Sequence, residues 1–224
     1  MHVLQAVLNA QELESLRALI RRSRFVAGAA SAGGVAKQVK ANEELEFPPQ
    51  EYQKFVRMIF DALMRHREFP RTAMPRELSA PMVNRYAPGM NYGAHYDVPL
   101  MRTPDGPKIR SDLAATLFIS EPEEYDGGEL CMMHLGREAQ IKLKAGDLFV
   151  YPAGTLHSVS PVSRGERLAV VFWIQSMVRD HDKRQMIADL DGVIGRIAER
   201  APQSSEVRDL AGIFTNLMRM WADP

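Results

Sequence analysis

The segment that decides the fold is Asn91-Tyr92-Gly93-Ala94-His95-Tyr96-Asp97-Val98-Pro99. Successive side chains of a β-strand point to opposite faces, so His95 and Asp97, two positions apart, point the same way. A second imidazole, His157, follows a strand and tight turn later in the chain. Two histidines and one carboxylate form a facial set that holds a metal ion and leaves other positions open. The sequence therefore predicts a metal centre formed by His95, Asp97 and His157.

The composition limits the classes of protein to which this chain can belong. Its 224 residues suffice for one large domain, alone or with a small appendage. Lys plus Arg and Asp plus Glu each number 28, so no global basic field would attract nucleic acid or an anionic membrane. The single cysteine, Cys131, excludes an internal disulfide and fits a reducing compartment. We expect a cytoplasmic protein with neither membrane nor nucleic acid as a partner.

The hydrophobic period divides the chain into three parts, which we place at 1–78, 79–178 and 179–224. The first part has helical spacing, with Asn9 as a cap and a second helix that opens at Pro48-Pro49, and a supporting strand is expected to begin at Phe25-Val26. The third part again has helical spacing, with caps at Asp180 and at Ser204 or Ser205. Its two amphipathic helices must cover either the rest of the domain or a second copy of the chain, so a homodimer is one expectation.

The middle part contains many short strands separated by Gly/Pro turns, a pattern typical of a sandwich or jelly roll. The sequence thus predicts an α+β protein, with a jelly-roll core flanked by N-terminal helices and a C-terminal helical pair. The predicted strands are Met82–Tyr86, Ala114–Ile119, Gly128–Met133, Ile141–Leu143, Leu148–Tyr151, His157–Val162 and Arg167–Ile174.

Arg167 opens the most apolar of these strands, and its charge permits two interpretations. A guanidinium directed into the barrel is costly unless it meets an anion, and a dicarboxylate with its other end on the metal would supply one. Alternatively, Arg167 faces water and pairs with Glu166 or Asp112. The remaining histidines, His2, His66, His134 and His181, lack such a context, and we assign them no function.

Taken in order, His95-x-Asp97, His157 and Arg167 resemble the signature of the Fe(II)- and 2-oxoglutarate-dependent dioxygenases. The chain is similar, more narrowly, to the bacterial PKHD-type hydroxylases of the prolyl/lysyl hydroxylase-like superfamily. The motifs that carry this narrower likeness are Asn84-Arg85-Tyr86, Arg110-Ser111-Asp112-Leu113, Tyr125-Asp126-Gly127-Gly128-Glu129-Leu130, Tyr151-Pro152 and Trp173-Ile174-Gln175-Ser176. The likeness is strong from Met82 to Arg179 and extends over the whole chain.

The resemblance implies a double-stranded β-helix that hydroxylates a substrate with release of succinate and CO2. It implies Fe(II), 2-oxoglutarate and O2 as reacting partners, with L-ascorbate as a reductant. Arg167 and Tyr86 would then bind the 2-oxoglutarate carboxylate. Phe118 stands where related prolyl hydroxylases often have a second tyrosine, and it cannot donate that hydrogen bond. The resemblance leaves the prime substrate open, because the same fold serves peptides, bases, lipids and metabolites.

Two other functions share part of this pattern. The run from Gly146 to His157 also satisfies the second cupin motif, although cupins usually contribute His-x-His and a glutamate from the first motif. A protein that senses 2-oxoglutarate or iron without turnover would need the same pocket. The loop from Pro99 to Arg110 leaves the metal motif directly, and it is either a substrate lid or an ordinary hairpin connection.

Overall fold

The computed structural model describes residues 1–30, 34–104, 106–134 and 136–223. Its helices lie at the two ends of the chain: α1 Ala10–Arg21, α2 Pro49–Arg65, α3 Glu68–Ala73, α4 His181–Ala198 and α5 Ser205–Trp221. Among the helices in these ranges, none has the length and apolar character needed to cross a bilayer.

Seventeen strands lie in the described chain. In order they are β1 His2–Leu4, β2 Arg24–Ala27, β3 Lys40–Ala41, β4 Glu43–Glu46, β5 Pro75–Leu78, β6 Met82–Tyr86, β7 Asn91–His95, β8 Leu100–Arg102, β9 Lys108–Arg110, β10 Leu113–Phe118, β11 Tyr125–Gly127, β12 Leu130–His134, β13 Arg137–Ile141, β14 Leu148–Pro152, β15 His157–Val159, β16 Val162–Gly165 and β17 Arg167–Ser176.

Two antiparallel sheets form the body of the protein. The major sheet has the order β1-β14-β10-β17-β6-β4-β2, with β5 also paired to β17. The minor sheet has the order β13-β12-β15-β7-β3. Strands that are distant in the chain are thus neighbours in both sheets, as expected for a double-stranded β-helix. Two separate pairs, β8–β9 and β11–β16, lie outside the two sheets.

The major sheet is buried on both faces. One face packs with α1 and α2 around fully buried side chains such as Leu16, Phe55 and Ile59. The other face packs against the minor sheet through a second apolar cluster that includes Phe118 and Met132. This double burial explains why β10 and β17 are so apolar, since every residue of β10 is buried and every residue of β17 is buried or half-buried.

The C-terminal helical pair covers one end of the barrel. Val178 and Ile187 are fully buried against Met74, and Phe214 and Trp221 of α5 pack onto the same cluster. The predicted caps start both helices, because Asp180 accepts from the Lys183 N–H and Ser204 from the Val207 N–H.

The sequence analysis missed several elements in and around the two sheets. The predicted strand Ile141–Leu143 overlaps β13, Arg137–Ile141, at one residue only, because β13 is polar and mostly exposed at the edge of the minor sheet and lacks apolar alternation. Of the N-terminal strands, β2 contains the predicted Phe25 and Val26, whereas β1 and β4 were missed, and all three join the major sheet. The stretch from Pro99 to Arg110 contains the hairpin of β8 and β9, with residue 105 outside the described residues.

Candidate active site

Two neighbouring strands of the minor sheet bring His95, Asp97 and His157 together. His95 ends β7, His157 begins β15, and the two lie directly opposite each other in the antiparallel ladder. The Asp97 Oδ1 atom is 4.0 Å from His95 Nε2 and 3.9 Å from His157 Nε2. All three side chains are less than a tenth exposed. Three ligand atoms therefore surround a space suited to one ion.

Hydrogen bonds to the backbone orient both imidazoles. His95 Nδ1 lies 2.8 Å from the Gly93 carbonyl oxygen, and His157 Nδ1 lies 2.9 Å from that of Thr155. A carbonyl only accepts, so each Nδ1 carries the proton and each Nε2 presents a lone pair toward Asp97. The Tyr92 ring stacks on His95 at 3.7 Å and further restricts the orientation of its imidazole. Such outer contacts fix the tautomer in metal-binding histidines generally.

Burial favours the uncharged form of these groups. It lowers the pKa of His95 to about 4, with the charge of His157 as the next cause, and it also lowers the pKa of His157. Burial raises the pKa of the Asp97 carboxyl more than the Trp173 indole N–H and the His95 charge lower it. Asp97 Oδ2 and Trp173 Nε1 are both buried without a hydrogen-bond partner. The Asp97 carboxylate thus has an unsatisfied oxygen beside two neutral imidazoles, a combination that a divalent cation would satisfy.

Arg167 lies inside the barrel, opposite Tyr86 in the pairing of β17 with β6. It is 1% exposed, and its guanidinium carbon lies 5.2 Å from the centre of the Tyr86 ring. The alternative in which Arg167 faces water is wrong. Its expected partners are engaged elsewhere: Glu166 pairs with Arg85, and Asp112 pairs with Arg110.

The buried charge of Arg167 has no acidic counterpart within the described ranges. No carboxylate there forms an ion pair with its guanidinium, and its Nε is buried without a hydrogen-bond partner. An isolated buried cation is strongly unfavourable, so this site is suited to an anion from outside the protein. A dicarboxylate fits this requirement, with one end for the metal group and the other for Arg167.

One cavity connects the metal group with Arg167. It encloses about 810 Å³, including the part open to solvent, and residues of both sheets line it. Tyr86, Asn84 and Met82 of β6 line one side, with Tyr151 and Trp173 among the other lining residues. A space of this size accommodates a small dicarboxylate and part of a second molecule.

Several residues of this cavity received no role from the sequence. Trp173 and Tyr151 belong to motifs that support the family resemblance, yet a motif does not reveal which strands pair. The sequence did not indicate a role for Lys40, because this residue lies in a short edge strand without a recognisable pattern. Its ammonium group pairs with Glu44 at 2.5 Å and lies 5.4 Å from the centre of the Tyr92 ring. Lys40 lines the cavity, and its ion pair with Glu44 links β3 to β4.

Comparison with known proteins agrees with this geometry. A family model described as the 2OG-Fe(II) oxygenase superfamily matches residues 81–175, and one for the PKHD-type hydroxylase C-terminal domain matches residues 181–223. A PKHD-type hydroxylase from Nitrobacter winogradskyi is 40% identical over 99% of this chain and 98% of its own length.

Solved structures show the same fold at low sequence identity. A Pseudomonas putida prolyl-4-hydroxylase is 23% identical with a TM-score of 0.51, covering 78% of this chain and 91% of its own. HygX from Streptomyces hygroscopicus, solved with nickel and 2-oxoglutarate, is 16% identical with a TM-score of 0.53, covering 76% and 80%. The predicted double-stranded β-helix with its flanking helices is confirmed.

The fold and the site thus define a 2OG-Fe(II) oxygenase. The enzyme is a 2-oxoglutarate-dependent dioxygenase that uses Fe(II), with 2-oxoglutarate and O2 as co-substrates. Within that superfamily, the chain belongs to the PKHD-type hydroxylases, since its likeness to them runs along its whole length. These findings favour the dioxygenase over the cupin-type metalloprotein and over a sensor without turnover.

Proposed function

We propose that His95, Asp97 and His157 hold the ferrous ion and that Arg167 and Tyr86 bind the far carboxylate of 2-oxoglutarate. One observation carries this proposal: the same cavity has a set of metal-ligand atoms at one end and a buried guanidinium at the other. At one end, three buried ligand atoms face each other across about 4 Å. At the other, a buried guanidinium lacks an ion-pair partner among the described residues. A keto acid with a distal carboxylate satisfies both.

The ion and the co-substrate supply the oxidative chemistry when bound, with 2-oxoglutarate leaving as succinate and CO2. The protein contributes binding, orientation and exclusion of water. His95 and His157 present neutral Nε2 atoms, and Asp97 provides the single negative charge of the ligand set. Arg167 sets the direction in which the dicarboxylate lies. Tyr86 is fully buried beside it, and burial raises its pKa to about 12, so its phenol remains protonated and able to donate.

We place the entrance for the prime substrate beside the segment that follows His95. Tyr96 is 61% exposed and Val98 is 42% exposed, and both line the cavity. Leu100 is also exposed just beyond them, at the start of the β8–β9 hairpin. Large apolar side chains that are exposed beside a cavity often contact a ligand. Tyr92, by contrast, packs on His95 and has a supporting role.

The proposed binding mode is tested by reconstitution without oxygen. When Fe(II) and then 2-oxoglutarate are added to the metal-free protein, we expect a visible absorption band from the chelated keto acid. Addition of O2 should convert 2-oxoglutarate to succinate, measured by chromatography. A protein that binds Fe(II) but gives no band with 2-oxoglutarate would contradict the proposed binding of the co-substrate.

Trp173 offers a separate prediction about the metal ligands. Replacing Trp173 by phenylalanine removes the indole N–H beside Asp97 and keeps most of the apolar bulk. We expect the dissociation constant for Mn²⁺ or Fe²⁺ to rise about tenfold, the lower range for outer partners of metal ligands. Titration calorimetry measures this change, with Trp221→Phe in α5 as the matched control. An unchanged metal affinity would show that the indole does not support Asp97.

We also propose the remaining features of the enzyme. L-ascorbate as a reductant follows from the general need to keep the iron ferrous. A cytoplasmic location rests on the lone, buried Cys131. The exposed apolar side chains Met186 and Ile213 on α4 and α5 support a homodimer, which sedimentation would detect.

The balanced charge supports the absence of nucleic acid and membrane as partners. Family boundaries at 81–175 and 181–223 support the division into 1–78, 79–178 and 179–224.

A further inference from the structure

The guanidinium of Arg167 has a second polar neighbour on the side away from the cavity. The Tyr125 side chain is fully buried, and its hydroxyl lacks a hydrogen-bond partner, as does Arg167 Nε. Buried polar groups are nearly always paired, so two such groups in one place require an explanation. Tyr125 is absent from the cavity lining, whereas Arg167 belongs to it. Tyr125 therefore acts on a ligand only through Arg167.

Gly128 shows how closely Tyr125 and Arg167 are packed. A Cβ atom at Gly128 would lie 3.1 Å from Arg167 Cδ and 3.1 Å from Tyr125 Cε2. Gly128 also has a positive φ of 68°, which side-chain-bearing residues rarely adopt. The glycine thus leaves room for the two side chains to meet. This contact gives a role to the Tyr125-to-Leu130 motif, whose two glycines the sequence analysis did not connect with the site.

Lys142 fixes the Tyr125 ring from the outside. Its ammonium group lies 4.0 Å from the ring centre and donates a hydrogen bond of 2.7 Å to the Tyr125 carbonyl oxygen. A cation over a ring face is attracted by the negative charge density of the π system. Tyr125 is therefore held between one cation at the outer face and another in the interior.

The absence of a hydroxyl on Phe118 leaves the Tyr125 hydroxyl as one of few hydrogen-bonding groups near Arg167 within the described chain. Two aromatic rings lie beside the Arg167 guanidinium, Tyr86 at 5.2 Å and Phe118 at 5.4 Å from its carbon, and Tyr125 lies beside the Arg167 stem at Gly128. Phe118 offers no hydrogen bond. Two phenols remain, one that lines the cavity and one behind the arginine.

We propose that Tyr125 is a positioning residue whose phenol oxygen accepts a hydrogen bond from Arg167 Nε, turning the terminal nitrogens toward the 2-oxoglutarate carboxylate. This inference rests on the proposed role of Arg167. The charge of Arg167 lowers the pKa of Tyr125, although burial raises it more, so the phenol is protonated at neutral pH. Arg167 would then keep its terminal nitrogens for the ligand, because the proposed hydrogen bond to Tyr125 uses Nε alone.

The experiment compares two keto acids on the metal-loaded full-length protein without oxygen. 2-Oxopentanoate has the same keto-acid end and chain length as 2-oxoglutarate but lacks the far carboxylate. For Tyr125→Phe, we expect the dissociation constant for 2-oxoglutarate to rise about tenfold, as for a lost hydrogen bond to a charged group. The constant for 2-oxopentanoate should change less than about twofold, because that ligand does not engage Arg167. Titration calorimetry with Mn²⁺ as the metal gives both values.

A second variant and a control guard against a general loss of structure. Lys142→Ala removes the outer support of the Tyr125 ring and should weaken 2-oxoglutarate selectively, by a smaller factor. Tyr52→Phe removes a hydroxyl of α2 that does not line the cavity, and it should change the affinity for neither ligand. If Tyr125→Phe and Lys142→Ala weaken the binding of the two keto acids equally, or weaken the binding of neither, the proposed positioning role is wrong. If the unsubstituted protein binds the two keto acids equally well, the role of Arg167 itself fails.

Discussion

Replacing Asp97 by alanine should abolish metal binding and, with it, the absorption band of the 2-oxoglutarate complex. Asp97 provides the only formal charge of the three-ligand set, and its Oδ1 lies about 4 Å from both Nε2 atoms. Outer partners of metal ligands are alone worth about 10- to 100-fold in affinity, so the loss of a direct ligand should exceed about 100-fold. Titration of the metal-free variant with Fe²⁺ or Mn²⁺ measures the loss.

Asp126→Ala is the matched control for this variant. Asp126 is an exposed carboxylate that pairs with Arg164 on the β11–β16 pair, outside the cavity. Its removal should leave the metal affinity and the absorption band unchanged. His157→Ala should behave like Asp97→Ala, because it removes another of the three ligands. Retention of tight metal binding by Asp97→Ala would overturn the proposed ligand set.

The second large effect is expected at Arg167, where a substitution should lower the affinity for 2-oxoglutarate without lowering the stability of the fold. Arg167→Met should weaken 2-oxoglutarate by about 30-fold or more, equivalent to at least about 2 kcal/mol, because truncating one partner of a buried charge pair costs that much. Metal affinity should persist, since Arg167 is not among the ligands. The unfolding free energy of the apoprotein should hold or rise, because an apolar side chain replaces a buried charge without an ion-pair partner among the described residues.

Calorimetry of the metal-loaded variant and denaturant titration of its apoprotein separate these effects. Arg164→Met serves as the control, since it removes an exposed guanidinium that pairs with Asp126. It should alter neither the affinity for 2-oxoglutarate nor the metal affinity. Loss of metal binding in Arg167→Met would show that the arginine supports the metal ligands instead of the co-substrate.

Many helices and strands could be predicted from the local sequence, because capping residues and apolar periodicity are short-range features. The capping box of Asn9 with Glu12 forms as expected at the start of α1. The apolar run after Arg167 becomes the long central strand β17. The polar edge strand β13 was largely missed, since an edge strand needs little apolar surface and is held by pairing with β12.

The site was predictable only where one segment contained it. His95 and Asp97 are two positions apart, so their spacing alone places them on one side of a strand. The sequence could not show which strand lies beside β7, and therefore could not show that His157 stands opposite His95. For the same reason, the sequence could not show that Trp173 lies beside Asp97 or that Tyr125 lies beside Arg167, because these contacts depend on how distant strands pair.

The opposition of His95 and His157 in one ladder has a consequence for metal supply. The pairing of β7 with β15 sets the separation of the two imidazoles, and the hydrogen bonds to the Gly93 and Thr155 carbonyl oxygens set their rotation. A scaffold already assembled discriminates poorly among divalent ions of similar radius, and nitrogen and oxygen donors favour nickel, copper and zinc over iron. Cellular iron availability, rather than the shape of the scaffold, then decides how much of this enzyme is competent.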